Sequence, residues 1–210
     1  MISPLLANIY MHRFIKAFRK HGLAQKYGAV LVNYADDFVV LCRRGSRQVL
    51  ETTGRWMARI GLQLNEQKTC LRDARRESFH FLGYTFGPMY SPRNGYCYSG
   101  ARPSDKAMKR FRQNIRQRLR PANQAPWPEI AAGLNRALRG WAAYFSYGTL
   151  WKARRSADWY VYERVRAFLR RRHKVGGLGS RQFPEQLVHG ELGVLQLMKL
   201  PRHRFANASV

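Results

Sequence analysis

The 210 residues predict an α+β fold in two parts: an antiparallel sheet with packed helices in residues 1–101, then an all-α three-helix bundle in residues 102–210. Three observations carry this. β-rich runs bounded by turn residues are confined to the first part. From Arg102-Pro103 onward, apolar residues recur at helical spacing between cap and stop residues. The charge divides in the same way, with a net +9 over residues 1–100 and +17 over residues 101–210.

Each element has its own signal. Ser3 and Pro4 open a helix as N-cap and first helical residue, and Leu5, Leu6, Ile9, Tyr10, Phe14 and Phe18 follow at helical spacing as its buried stripe. Gly22 suits its stop. A chain that begins directly in such a helix reads as one cut from a longer fold. Residues 29–34 and 38–42 are β-rich runs around a turn, hence a hairpin. Ser46 caps a helix through Ile60, which Gly61 closes. Residues 62–64 and 69–71 read as strand pieces around Asn65-Glu66-Gln67-Lys68. Residues 79–86 form a strand interrupted at Gly83, and residues 87–100, rich in Gly, Pro, Tyr and Ser, a turn or small hairpin. In the second part Ser104 caps a helix to about Leu119, and Pro126-Trp127-Pro128 starts another to about Tyr147. A third runs from about Ser156 to His173, ended by Gly176-Gly177, and a short helix covers residues 184–188.

Composition narrows the function. Hydrophobic residues at 45% are enough for a packed core. Lys and Arg number 38 against 12 Asp and Glu, a net charge of +26. Self-repulsion disfavours such a charge, so a polyanionic partner is the economical reason for it, and nucleic acid is the commonest. Arg outnumbers Lys 29 to 9. Guanidinium binds phosphate bidentately and stacks on bases, and aromatics at 13% offer further stacking faces. A ribosomal-type protein acting as electrostatic glue fits the charge equally well. Cys42, Cys70 and Cys97 form no C-x-x-C pair, and the six His show no zinc spacing. These features, with no apolar run of membrane length and no signal peptide, lead to the expectation of a reduced, cytoplasmic protein without membrane contact.

Asp36 and Asp37 are the chemistry-bearing pair. Adjacent carboxylates on a strand point to opposite faces, but at a hairpin tip both can project toward one site. Held together they repel unless a cation lies between them, and Mg²⁺ favours carboxylate and phosphate oxygens. A solvated Asp-Asp turn is the alternative.

The neighbouring motifs add a resemblance. Tyr34-Ala35-Asp36-Asp37 is similar to the Tyr-x-Asp-Asp signature of reverse transcriptases, and the Ala resembles the group II intron branch. Ile2-Ser3-Pro4-Leu5-Leu6-Ala7-Asn8-Ile9-Tyr10 is similar to the helix after that family's nucleotide pocket. Gly61-Leu62-Gln63-Leu64-Asn65 with Lys68-Thr69 resembles the next palm motif, and Phe79-His80-Phe81-Leu82-Gly83-Tyr84 the primer-grip hairpin. Leu134-Asn135 and the run from Leu138 to Phe145 resemble the maturase-specific X domain, the family's thumb. The blocks stand in family order along nearly the whole chain.

The resemblance implies part of a polymerase palm followed by a helical thumb. It implies an RNA-directed DNA polymerase with a splicing (maturase) role, Mg²⁺ as cofactor, and group II intron RNA, a DNA primer and dNTP as partners. By it, Asp36 is the main metal ligand and Asp37 a supporting one, with one ion activating a primer 3′-hydroxyl and another stabilising the leaving pyrophosphate. Ala35 leaves room for the primer end, Tyr34 buttresses the site, and Lys68 screens or protonates the leaving group. Leu82, Gly83 and Tyr84 hold the primer. Ordinary roles suit each of these as well: a small turn residue, a strand aromatic, an exposed lysine, a strand bulge. Lys109, Arg110, Arg112 and Arg116 on the first thumb helix and Arg164, Arg170 and Arg171 on the third bind phosphates, where a charge run otherwise means a solvated face. Trp127, Trp141, Trp151 and Trp159 are expected in the core. The family's site needs a further Asp, fingers and a Pro-Gln-Gly segment, none of which is found in residues 1–210. The chain alone is therefore not expected to polymerise DNA, and a non-catalytic RNA-binding splicing factor is the second reading.

Overall fold

A computed structural model describes residues 3–201, side chains excepted at Ser3, Pro4 and Ala7; the expected Ser3 cap lies outside the described side chains. The fold is α+β. Two compact units divide between Asp73 and Ala74, earlier than the compositional change near Arg102.

The first unit holds α1 (Ser3–Lys20), α2 (Leu23–Tyr27), β1 (Val30–Tyr34), β2 (Asp37–Leu41) and α3 (Ser46–Arg59). Met11, Phe14 and Phe18 of α1 form its core with Leu23, Ala29 and Met57. Phe14 lies 5.2 Å, ring to ring, from Phe38 on the hairpin. The buried stripe expected from Leu5 onward is shorter than predicted: the core begins at Met11, and Leu5, Leu6, Ile9 and Tyr10 are exposed. The N-cap of α3 is Gly45, in the left-handed region at φ 64°, not Ser46, which is already helical. The stop at Gly61 has a specific form: its N–H donates to Ala58 O, and that of Leu62 to Met57 O, at 3.0 and 2.9 Å. These two bonds, with Gly61 at φ 75°, close the helix through a left-handed residue. No strand covers residues 62–64 or 69–71. Leu62 and Leu64 pack on the core one-sidedly without a partner strand, so their alternation reports burial, not pairing. The backbone then turns, with Asn65 O accepting from the N–H groups of Lys68 and Thr69.

The second unit begins with an antiparallel sheet, β3 (Phe79–Phe81), β4 (Tyr84–Tyr90) and β5 (Cys97–Pro103), in that order. Strand structure thus continues to Pro103, past the point where the sequence ceases to read as β. Then come α4 (Asp105–Arg118), α5 (Trp127–Tyr144), α6 (Trp151–Arg172) and α7 (Glu185–His189). Ser104 caps α4 as predicted, its Oγ accepting from Ala107 N at 3.2 Å. α6 starts at Trp151, ahead of the expected Ser156. Ile115, Leu134, Leu138, Val161 and Val165 form the shared core of α4, α5 and α6. The sheet is tied to this bundle. Thr149 N donates to Ala101 O at 2.7 Å, and Gly148 lies so close to that carbonyl that a Cβ has no room.

Residues 192–200 have no regular ladder, so side chains satisfy their backbone. Asp158 of α6 accepts from Leu197 N at 2.7 Å and Met198 N at 3.0 Å. Arg154 donates to Leu197 O and Leu200 O, Trp127 to Leu192 O, and Asn135 to Gly193 O. Among the described residues no helix is long and apolar enough to cross a membrane.

This clamp gives a stability prediction. Asp158→Ala leaves two N–H donors without their acceptor and is expected to cost about 1–3 kcal/mol. Burial pushes the Asp158 carboxyl above its usual range, outweighing the two N–H bonds and the charges of His189 and Arg154. A raised folded-state pKa favours the folded protein below the ordinary Asp pKa of about 3.9, and this contribution is lost as pH rises through the raised value. Melting curves of the wild type and Asp158→Asn between about pH 3 and 7 check the sign: the wild type should lose ground relative to the variant as pH rises.

Candidate catalytic turn and nucleic-acid interface

The Asp pair stands on a rigid tip. Val30 pairs with Leu41, Val32 with Val39 and Tyr34 with Asp37, which leaves a two-residue loop, Ala35-Asp36. Ala35 takes φ 53°, a left-handed value that disfavours a side chain. Leu31, Phe38 and Val40 pack inward against the unit's core. Strand alternation therefore turns Val30, Val32 and Tyr34 to the open face, and Asp37, opposite Tyr34, is turned with them. Tyr34 is 64% exposed, so it covers no core. Asp36 and Asp37 are both exposed, one in the loop and one at the first position of β2. Lys68 is exposed on another element, the turn after α3.

Two adjacent exposed carboxylates suit a hard divalent cation such as Mg²⁺, which takes one or two protein carboxylates and fills its shell with water and phosphate oxygens. Among the described residues no group of three or more His, Cys, Asp or Glu side chains is placed to hold a metal ion. The donor set thus fits part of a Mg²⁺ site.

Leu82 and Gly83 form the two-residue loop between β3 and β4, at φ 48° and 75°. This is the pattern of a type I′ hairpin turn. The loop is anchored on the end of α5 by reciprocal bonds: Tyr84 Oη donates to Tyr144 O, and Tyr144 Oη to Leu82 O, both at 2.9 Å. Burial pushes the Tyr84 phenol pKa up, so it stays a donor at neutral pH. Ser104 N donates to Gly83 O at 2.8 Å, and Phe145 lies under the loop. The sequence could not reveal Tyr144 as the anchor, because it is remote in the chain and its spacing reads simply as helix.

The basic helices divide by what their side chains do. On α4, Lys109, Arg110, Arg112 and Arg116 are all exposed. Arg112 and Arg116 flank the Tyr160 ring of α6, 5.7 and 6.0 Å from its centroid, and Arg116 donates to Tyr160 Oη at 2.7 Å. On α6, Arg171 is exposed, while Arg164 and Arg170 are half-buried. Arg170 donates to Gly177 O, holding the turn after the helix. Arg172 donates to Ala125 O, and Arg166 pairs with Glu163 at 2.7 Å. The tryptophans divide too. Trp127 and Trp141 pack against the core. Trp151 and Trp159 do not: they are 47% and 62% exposed. Trp159 lies across the helix from Val161, whereas Trp151 is the first residue of α6.

The predicted residues thus fall into two groups, Tyr34, Ala35, Asp36, Asp37 and Lys68 in the first unit and the loop and basic helices in the second. Comparison with individually curated proteins gives no match. Residues 1–86 match the profile of the family described as reverse transcriptase (RNA-dependent DNA polymerase). Residues 108–183 match that described as the group II intron, maturase-specific domain. The chain thus carries a reverse transcriptase segment followed by a maturase-specific segment, the order of a group II intron reverse transcriptase/maturase.

Proposed function

We propose that this chain binds group II intron RNA through its basic helical unit and carries, on the Tyr34–Asp37 turn, part of the metal site of an RNA-directed DNA polymerase. The observation that carries this reading is the exposed Asp36-Asp37 pair at the tip of the β1–β2 hairpin, inside the segment that matches reverse transcriptases. Asp36 and Asp37 would hold Mg²⁺. The bound ions would supply Lewis-acid polarisation of the primer hydroxyl and charge neutralisation on the leaving phosphate.

The remaining roles belong to the chain's own groups. The β1–β2 ladder fixes the backbone on both sides of the turn that carries the two carboxylates. Ala35 keeps the loop small enough for a primer end to approach, with Tyr34 beside it. Lys68 offers a cation to the departing phosphates. Leu82, Gly83 and Tyr84 present a primer-holding loop whose backbone the Tyr84–Tyr144 bonds keep still. Lys109, Arg110, Arg112, Arg116, Arg164 and Arg171 face phosphates, and dNTP is the substrate of the complete site.

The second reading, an RNA-binding splicing factor without catalysis, draws on the second unit alone. Its exposed cations far exceed its acids, whereas the carboxylates of the turn are only two. Primer extension separates the readings. Purified chain on primed RNA with dNTPs and Mg²⁺ is expected to yield no product, because two carboxylates complete only part of a two-metal site; robust extension would refute this.

The two functions are also expected to respond to different substitutions. Asp36→Ala should abolish synthesis in an enzyme reassembled with fingers and the remaining palm, and leave RNA affinity within about twofold. Lys109→Glu with Arg110→Glu should lower RNA affinity at least tenfold, and flatten the log–log salt slope by about 0.7–0.9 for each phosphate no longer neutralised. Titrations over a salt series measure both. Equal loss of RNA affinity from Asp36→Ala would mean that the turn is itself part of the RNA interface.

A further inference from the structure

Trp151, Arg155 and Trp159 recur every fourth residue of α6 and so form one line on its exposed surface. Core formation does not account for them. An indole in water forfeits the burial that makes tryptophan worth placing in a helix, and α6 already supplies Ala157, Val161, Val165 and Phe168 to the core. Each ring is nevertheless held in place. The Arg155 guanidinium lies 5.2 Å from the Trp151 ring centroid, and Trp159 rests against Tyr162 at 5.9 Å. Tyr162 is itself buried, with its hydroxyl bonded to Phe183 O. The rings are thus exposed and restrained at once, which lowers the entropy lost when a ligand binds.

The charge around the line is of one sign. Lys152 and Arg155 are exposed beside it. The acids nearest in sequence are engaged elsewhere, Asp158 by Leu197 and Met198 and Glu163 by Arg166. A line of aromatic, cation, aromatic at a rise of about 6 Å per step offers two stacking faces with a phosphate anchor between them. Duplex bases are closed to such faces by their own stacking, whereas unpaired bases in loops and single strands are free. A protein partner would instead favour a contiguous apolar patch, which the intervening guanidinium interrupts.

We infer that Trp151, Arg155 and Trp159 form a binding subsite for unpaired nucleotides, in which the indoles stack bases and Arg155 holds the phosphate between them. This deepens, and rests on, the RNA-binding reading of the second unit. It also separates two kinds of surface on the bundle: Arg112 and Arg116 of α4 pack on the Tyr160 ring of α6, whereas Trp151 and Trp159 keep exposed faces.

The experiment compares the full chain with Trp151→Ala/Trp159→Ala and Trp151→Phe/Trp159→Phe, using an oligouridine single strand and an RNA duplex of equal phosphate number. The Ala pair is expected to lose about tenfold or more in affinity for the single strand. For the duplex it should lose no more than about twofold, with an unchanged salt slope. The Phe pair should recover most of the single-strand affinity, and quenching of tryptophan fluorescence on binding should fall in both variants. Equal losses on the two RNAs, or no loss on either, would overturn the subsite. So would unchanged RNA binding with loss of self-association in sedimentation, which would assign the line to a second copy of the chain. If the wild type binds neither RNA at low salt, the RNA-binding reading fails as well, and the two failures are thereby distinguished.

Discussion

Twenty-nine arginines share this chain with 12 carboxylates, so most guanidinium groups must be held without a counter-charge. The fold solves this with neutral acceptors. Arg44 donates to Lys26 O, Arg154 to Leu197 O and Leu200 O, Arg170 to Gly177 O and Arg172 to Ala125 O. Aromatic faces take others: Arg112 and Arg116 at Tyr160, Arg155 at Trp151, Arg166 at Tyr162 and Arg172 at Phe168. An ammonium group presents no planar fork for a carbonyl and stacks less well on a ring, which is a physical reason for so few lysines. Because these partners are uncharged, the positive field survives folding. The protein keeps its arginines in place and keeps their charge available to a polyanion.

The same constraint explains the architecture of the second unit. Polar side chains of α5 and α6 reach back to satisfy residues 192–200, and Arg154, although buried, is used in that clamp. The apolar stripe of α6 is fully occupied by this packing and by the α4–α5 core. What is left outward is a cationic surface with aromatic side chains set into it. On the proposed RNA-binding reading, affinity on such a surface is largely electrostatic, and discrimination between paired and unpaired nucleotides would fall to the rings.

Local signals in the sequence were reliable at most turns and caps, Ser46 excepted, where Gly45 is the N-cap. The Ser104 cap, the Gly61 stop and the hairpin around Asp36 and Asp37 all depend on chemistry within a few residues, and the helices of the second part were legible from their spacing. Three features were not. Residues 62–64 alternate because Leu62 and Leu64 pack on one side, and periodicity does not report whether a partner strand exists. β5 was hidden because Gly100, Arg102 and Pro103 carry no β signal; the strand is held by its register with β4 and by the close approach of Gly148 to Ala101. The exposure of Trp151 and Trp159 was illegible because the hydrophobicity of a side chain does not say whether a neighbouring element covers it. At the candidate site, the Asp pair was readable from its motif, whereas the Tyr84–Tyr144 anchor joins residues far apart in the chain and exists only once the sheet and α5 have packed.

Two of the three non-glycine residues with positive φ among the described residues, Ala35 and Leu82, stand in the two-residue loops of the two hairpins. A Cβ in the left-handed region costs about 1–2 kcal/mol, which Gly would avoid and Asn reduce. Neither position takes that easier residue, and both loops have the means to sustain the strain. The first is held by five consecutive strand pairs, the second by the reciprocal tyrosine bonds. Strain kept where the surroundings over-determine the backbone is characteristic of positions fixed for a ligand and not for stability. At Ala35 the methyl stiffens the loop beside the carboxylates; at Leu82 the side chain is half-buried. Under the proposed roles, stiffness at these loops is what ligand positioning would require, because a reacting group displaced by about 1 Å can lose about a hundredfold in rate.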